Sequence, residues 1–313
     1  MTARAEQRFR AMGTDCHVVV RTAPASDDDR AGQLVEWGID RVRALEARWS
    51  RFLSDSDTSR LNDADGAEVG IDETTAELLR VADAARSDTL GWFDPYQGRA
   101  MVELGYDRPF EEVRERIEAV PAGTATVDRP AIGEPLRTRS PLRLDPARRR
   151  AALDAGVSFD PGGIGKGQAA DVVSAELLAL GAEAALVNLG GDLRVRGGEE
   201  APWRIDVRNP FDETLEPVLQ VGLSDAGLAT SSPFKRRWRT TDGRAAHHII
   251  DPRNGAPATI ALAAVTVVAP AAATAEMLTT AVALAGPVHG AALLSRHRAR
   301  AWVVMLDGRI APV

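Results

Sequence analysis

Residues 159–171 read Phe159-Asp160-Pro161-Gly162-Gly163-Ile164-Gly165-Lys166-Gly167-Gln168-Ala169-Ala170-Asp171, with four glycines inside six positions at the mouth of a helical stretch. Glycines at this density let backbone approach a ligand closely and adopt positive φ. The helix that follows offers unpaired N–H groups and partial positive charge, a setting suited to phosphate. Lys166 stands in the first turn, where a phosphate or a carboxylate can meet it. The pattern is neither a Walker A loop, because Gly167 follows the lysine, nor the Gly-x-Gly-x-x-Gly dinucleotide fingerprint. The competing reading is a tight turn that happens to carry an exposed lysine.

Apolar and β-branched spacing predicts strands at 16–21, 184–189, 203–208, 263–269 and 301–306. Helices are predicted over 34–49, from 74 onward with Asp72 as cap, over 110–120, over 166–180 ended by Gly181, and over 272–285 ended by Gly286. Residues 121–150, rich in Pro, Arg, Thr and Gly, read as loop with short strands. Strands and helices mix without regular βαβα alternation, so the expected class is α+β. With 313 residues the chain reads as one domain spanning 1–313, divisible into halves at about 1–120 and 121–313.

The 38 Lys and Arg are outweighed by 45 Asp and Glu, a formal charge of −7, which argues against a broad nucleic-acid surface. Only two of the 38 are lysines, Lys166 and Lys235. The single cysteine, Cys16, excludes an intrachain disulfide framework and a cysteine-cluster metal site. No signal-like apolar segment opens the sequence, and the apolar run 261–285 is broken by Pro270, Glu276 and several threonines. The expectation is a cytoplasmic protein without membrane insertion.

Three further segments carry polar groups in suggestive places. Asn188-Leu189-Gly190-Gly191-Asp192 follows a strand and reads, taken alone, as a hairpin turn. His247 and His248 stand before Asp251-Pro252. Adjacent strand positions make poor partners for one metal, whereas either imidazole could act as acid or base or neutralise a phosphate. A plain edge-strand histidine is the competing reading. Glu276 and Thr280, four apart on a helix, share a face and could meet one hard cation, against the alternative of a solvated first-turn Glu.

In order, Met12-Gly13-Thr14, Ser54-Asp55-Ser56-Asp57-Thr58-Ser59-Arg60-Leu61-Asn62, Gly91-Trp92-Phe93-Asp94-Pro95, the segments at 160–171 and 188–192, Ala229-Thr230-Ser231, and the segments at 248–255 and 274–286 resemble the ApbE family of FAD:protein FMN transferases. The resemblance covers nearly the whole chain. It implies a T-fold-like α+β protein whose two mixed halves pack around a flavin cleft. The implied activity cleaves FAD with Mg²⁺, moves FMN onto a Thr or Ser of an acceptor flavoprotein, and releases AMP. The alternatives are hydrolysis of FAD to FMN and AMP, or flavin binding without turnover. By position, Met12, Phe52, Trp92, Phe93 and Asp94 match flavin or adenine contacts. Asp160, Lys166 and Ile249 match FAD-binding residues. His248 matches the catalytic histidine, with Asp160 as the other candidate base. The carbonyl of Gly163, with Glu276 and Thr280, matches the Mg²⁺ ligands. A monomer or homodimer is expected. Three positions depart from the family's pattern: Glu276 for the usual Asp, Ser231-Ser232-Pro233 for Ser-Gly, and Gly165-Lys166-Gly167-Gln168 for Ala-Lys-Gly-Tyr.

Overall fold

A computed structural model describes residues 3–23, 29–116, 139–198, 202–240 and 243–313. From the N-terminal side run β1 (Ala3–Ala11), β2 (Thr14–Thr22), α1 (Arg30–Trp49), α2 (Asp57–Asp63), β3 (Val69–Gly70), α3 (Glu73–Asp88), α4 (Gly98–Glu103) and α5 (Phe110–Arg116). Next come β4 (Leu142–Asp145), β5 (Arg150–Leu153), a 3-10 turn at Pro161–Gly163, α6 (Gly165–Ala179), β6 (Ala184–Leu189), β7 (Asp192–Arg196), β8 (Trp203–Val207) and β9 (Leu219–Leu223). The remainder comprises β10 (Ala226–Ser231), β11 (Arg237–Arg239), β12 (Ala245–His247), β13 (Ile250–Asp251), β14 (Ala256–Pro257), β15 (Leu262–Ala269), α7 (Ala272–Arg296), β16 (Arg300–Met305) and β17 (Ile310–Pro312).

The centre is an eight-stranded sheet in the order β1-β2-β6-β7-β10-β15-β16-β17, antiparallel throughout. It joins residues on both sides of position 120, because β2 pairs with β6. Helices α1, α6 and α7 cover one face, and the β8–β9 hairpin packs Trp203, Val207, Val221 and Leu223 on the other. Strand β15 is buried at all eight positions, as expected for a strand covered on both sides. The smaller sheet β3-β5-β4 and helices α2 and α3 extend the main core outward from α1. Met101, Tyr106, Val113, Trp238, Ala246 and Ile250 form a separate cluster that ties α4 and α5 to β11–β13.

Local chemistry explains the joints. Asp72 caps α3 as read from sequence, accepting from Thr74 N at 2.9 Å. Helix α7 has no cap of its own. Instead Asp171 of α6 accepts from Ala272 N and Ala273 N, each at 2.9 Å. That approach requires glycine at 167, where a Cβ would sit 2.5 Å from the carbonyl oxygen of Ala272. The segment 188–192 is a hairpin turn between β6 and β7, with Gly190 at φ 73° and Gly191 at φ 100°, the pattern of a two-residue turn.

Gly286 ends the helix begun at Ala272, as read from sequence: its backbone is non-helical (φ 75°, ψ 167°), and a second helical segment, not expected from sequence, follows from Pro287 to Arg296. Proline suits the first turn of that second segment, where its missing N–H has no intrahelical role. The helix predicted over 110–120 runs from Phe110 to Arg116, and its later part lies outside the described residues, as does most of the loop reading for 121–150. Among the described residues α7 alone is long and apolar enough to cross a membrane, and half of that stretch is buried inside the protein.

Candidate active site

A cleft of about 580 Å³ opens where the turn after α1, the 92–95 segment, the glycine-rich entry to α6 and the β12–β13 junction converge. Of the residues singled out in the sequence, Met12, Phe52, Trp92, Phe93 and Asp94 line it. So do Asp160, Gly163, Lys166, His248, Ile249 and Thr280. Glu276 does not reach the wall; it is 3% exposed and lies behind Lys166.

Lys166 and Glu276 form the charged floor. Lys166 Nζ donates to Glu276 Oε1 at 2.6 Å and to Asp192, while Gly167 N donates to Glu276 Oε2 at 2.7 Å. Burial works against the ammonium, but the carboxylates of Asp192 and Glu276 outweigh it and hold the Lys166 pKa above its ordinary value. Burial pushes Glu276 upward, Asp192 adds to the rise, and Lys166 opposes it.

The two histidines divide their roles. His247 Nε2 meets Ala258 O at 2.9 Å and its Nδ1 accepts from Ile249 N at 3.3 Å, so both ring nitrogens are used by the neutral form. Burial lowers its pKa to about 4. His248 faces the cleft, and its buried Nδ1 has no hydrogen-bond partner among the described residues. Burial first, then the charge of Arg236, drives its pKa well below the ordinary histidine value. Asp160 is more fully engaged: Oδ1 accepts from Gly162 N at 2.8 Å and Oδ2 lies 3.3 Å from Arg51 Nε.

The aromatic wall is held by neighbours. Phe93 N donates to Thr89 Oγ1 at 3.1 Å, and a Cβ on Gly163 would come within 3.0 Å of the Phe93 ring. Asp94 accepts from Tyr96 N at 3.0 Å and pairs with Arg86 Nε at 3.3 Å. Met12, at φ 51°, donates its N–H to Glu46 Oε1 at 2.6 Å. Arg51 stacks 4.2 Å over Phe52 and 4.6 Å over Tyr106, and its Nη1 donates to Tyr106 O at 2.7 Å.

Arg51, Tyr106 and Arg236 line the cleft but were not singled out in the sequence. Arg51 adjoins Phe52, itself among the singled-out residues, a usable signal; Arg236 sits in a run of basic residues that carries none. Lys235, for which the sequence offers no role, donates to Gly190 O at 3.2 Å beside the β6–β7 turn.

The oxygen donors Gly163, Thr280 and Glu276 are of the kind a hard divalent cation takes. Both Glu276 oxygens are already engaged, so the set fits such an ion once Lys166 releases Oε1. Among the described residues no three His, Cys, Asp or Glu side chains gather as a metal cage.

A family profile described as ApbE family matches residues 12–304. The chain belongs to the ApbE family. Within it, the FAD:protein FMN transferase of Treponema pallidum (strain Nichols) is 31% identical over 323 residues, covering 93% of this chain and 82% of that protein. The FAD:protein FMN transferase of Escherichia coli (strain K12) is 25% identical over 292 residues, covering 91% and 80%. Among solved ApbE structures, the ApbE protein of Thermotoga maritima superposes with a TM-score of 0.78 at 26% identity, covering 99% of this chain and 96% of that one. The apo flavinyl transferase ApbE of Pseudomonas stutzeri gives 0.75 at 26% identity, covering 100% and 94%. The α+β ApbE fold expected from sequence is therefore the fold observed.

Proposed function

We propose that this protein is an FAD:protein FMN transferase: it cleaves the diphosphate of FAD, attaches FMN through a phosphoester to a Thr or Ser hydroxyl of an acceptor flavoprotein, and releases AMP. The observation that carries this reading is the His248 imidazole, which lines the cleft that also holds Lys166 and the start of α6 and whose buried Nδ1 has no hydrogen-bond partner among the described residues. The acceptor oxygen attacks the phosphorus of the FMN half, its proton passes to His248, and the P–O bond to AMP breaks. A neutral imidazole is required for that step, and the depressed pKa of His248 supplies it. Asp160, with both oxygens occupied, is better suited to holding the glycine turn and Arg51 than to taking a proton. Aromatic residues Phe52, Trp92 and Phe93 offer apolar surface for an isoalloxazine or adenine ring. Mg²⁺, held by Gly163 O, Glu276 and Thr280, would neutralise diphosphate charge when bound.

The test is incubation with FAD, Mg²⁺ and an acceptor flavoprotein, followed by a denaturing gel viewed for flavin fluorescence and by AMP quantification. The reading expects a fluorescent acceptor band with AMP in equal amount. Free FMN and AMP without the band would make the protein a hydrolase, and intact FAD would leave it a flavin binder.

A further inference from the structure

Four cationic side chains line the cleft: Arg43, Arg51, Lys166 and Arg236. Three face carboxylates. Arg43 lies 3.4 Å from Asp40, Arg51 lies 3.3 Å from Asp160, and Lys166 bridges Asp192 and Glu276. Arg236 has no carboxylate within ion-pair distance among the described residues, and its one side-chain hydrogen bond goes to Tyr106 OH at 3.2 Å. A guanidinium has five N–H donors in a planar fork, so most of its donor capacity is left for a ligand.

The backbone fixes where that fork points. Arg237 pairs with His247 in the β11–β12 ladder, which puts Arg236 and His248 opposite each other one step further on. His248 N donates to Arg236 O at 3.2 Å, continuing the pairing past the strand ends. Residues opposite each other across antiparallel strands project to the same side, and both of these side chains line the cleft. The guanidinium and the imidazole are thus delivered together by one hairpin.

We propose that Arg236 is the diphosphate-binding cation of the cleft, gripping the phosphate oxygens next to the atom that His248 deprotonates. The identity of the anion as the FAD diphosphate rests on the transferase reading; the expectation of a phosphate anion rests on the guanidinium, which has no carboxylate partner among the described residues. In the transfer, the bond from the FMN phosphorus to the bridging oxygen breaks and the AMP phosphate departs with one more negative charge. Arg236 neutralises that charge, because a fork of N–H donors matches phosphate oxygens two at a time. Arg236 is then a catalytic residue in contact with substrate, and its positive charge adds to burial, the larger cause, in keeping His248 unprotonated and ready to accept the hydroxyl proton.

The experiment measures the affinities of FAD, ADP and riboflavin for the full chain and for Arg236→Ala, Arg236→Gln and Arg236→Lys. Folding of each variant is checked by circular dichroism and thermal midpoint. Losing charge-assisted hydrogen bonds to phosphate is expected to weaken FAD and ADP by roughly 10- to 100-fold in the Ala and Gln variants, with riboflavin unchanged. Lys restores part of the loss, since it returns charge without the fork. Equal weakening of riboflavin and FAD, or unchanged ADP affinity in a folded variant, would overturn the assignment. The contrast between ADP and riboflavin is read without turnover, so it stands or falls independently of whether the wild-type protein transfers FMN to an acceptor.

Discussion

Lys166 Nζ lies 2.6 Å from Glu276 Oε1 and also pairs with Asp192, so one ammonium balances two carboxylates where α6 meets α7. The second oxygen of Glu276 is held by Gly167 N, the residue whose missing side chain lets the two helices touch. The position that the family resemblance reads as a metal ligand is therefore also a structural junction.

Replacing the ammonium exposes this junction directly. Lys166→Met leaves Asp192 and Glu276 buried without their cation, and removing one member of a buried pair costs about 3–5 kcal/mol. Urea unfolding at pH 9 is expected to show a loss of that order. The loss should shrink at pH 7, because Glu276, raised by burial to about 7 even beside Lys166, titrates higher still without it and takes up a proton. A variant as stable as the parent, or a loss indifferent to pH, would show that the pair carries no net electrostatic weight.

Gly167→Ala tests the helix contact. The new methyl would meet the Ala272 carbonyl carbon at 2.6 Å and Ala273 N at 2.7 Å, and backbone has no rotamer with which to move away. Overpacking of this kind costs about 1–3 kcal/mol. The thermal midpoint should drop by several degrees, with FAD affinity falling as the entry to α6 shifts. An unchanged midpoint would mean the two helices separate at no cost.

The pH dependence of stability carries the signature of His247. Its pKa falls from an ordinary value of 6.5 to about 4 on folding. Between those values the unfolded chain binds the proton and the folded chain does not, so stability decreases as pH falls through that window and levels off below it. The slope is at most about 1.4 kcal/mol per pH unit for this one group. In His247→Gln an amide can donate to Ala258 O and accept from Ile249 N without titrating. Urea titrations at pH 7, 6 and 5 should give a shallower slope for the variant; parallel curves would assign the dependence elsewhere, His248 included.

Much of this architecture was legible because it is local. Asp72 ahead of Thr74, the glycines before α6 and the valines of β2 each declare an element within a few residues. The cleft was legible only as a set of separate motifs, and eleven of the twelve residues drawn from them do line it. What the sequence hides is pairing at a distance. Nothing near Lys166 announces that Glu276, on another helix, will take its ammonium rather than leave it to a ligand. Arg236 is equally silent: its meaning comes from facing His248 across a short ladder, and a run of basic residues in a loop reads as solvated surface. The break at Gly286 was visible, but the resumption after it depends on Leu293 and Leu294 burying themselves in the core, a tertiary reason.

The pairing of β2 with β6 also sets a timetable. On the ribosome, the hairpin of β1 and β2 emerges long before the strand that closes its inner edge. Through that interval Val18, Val19 and Val20, each at most 1% exposed in the finished protein, form a bare β-branched edge. Such an edge invites pairing with another nascent copy, and the flanking charges of Asp15 and Arg21 are the local guard against it. The order of the strands along the chain thus leaves this edge open until residues 184–189 have been made.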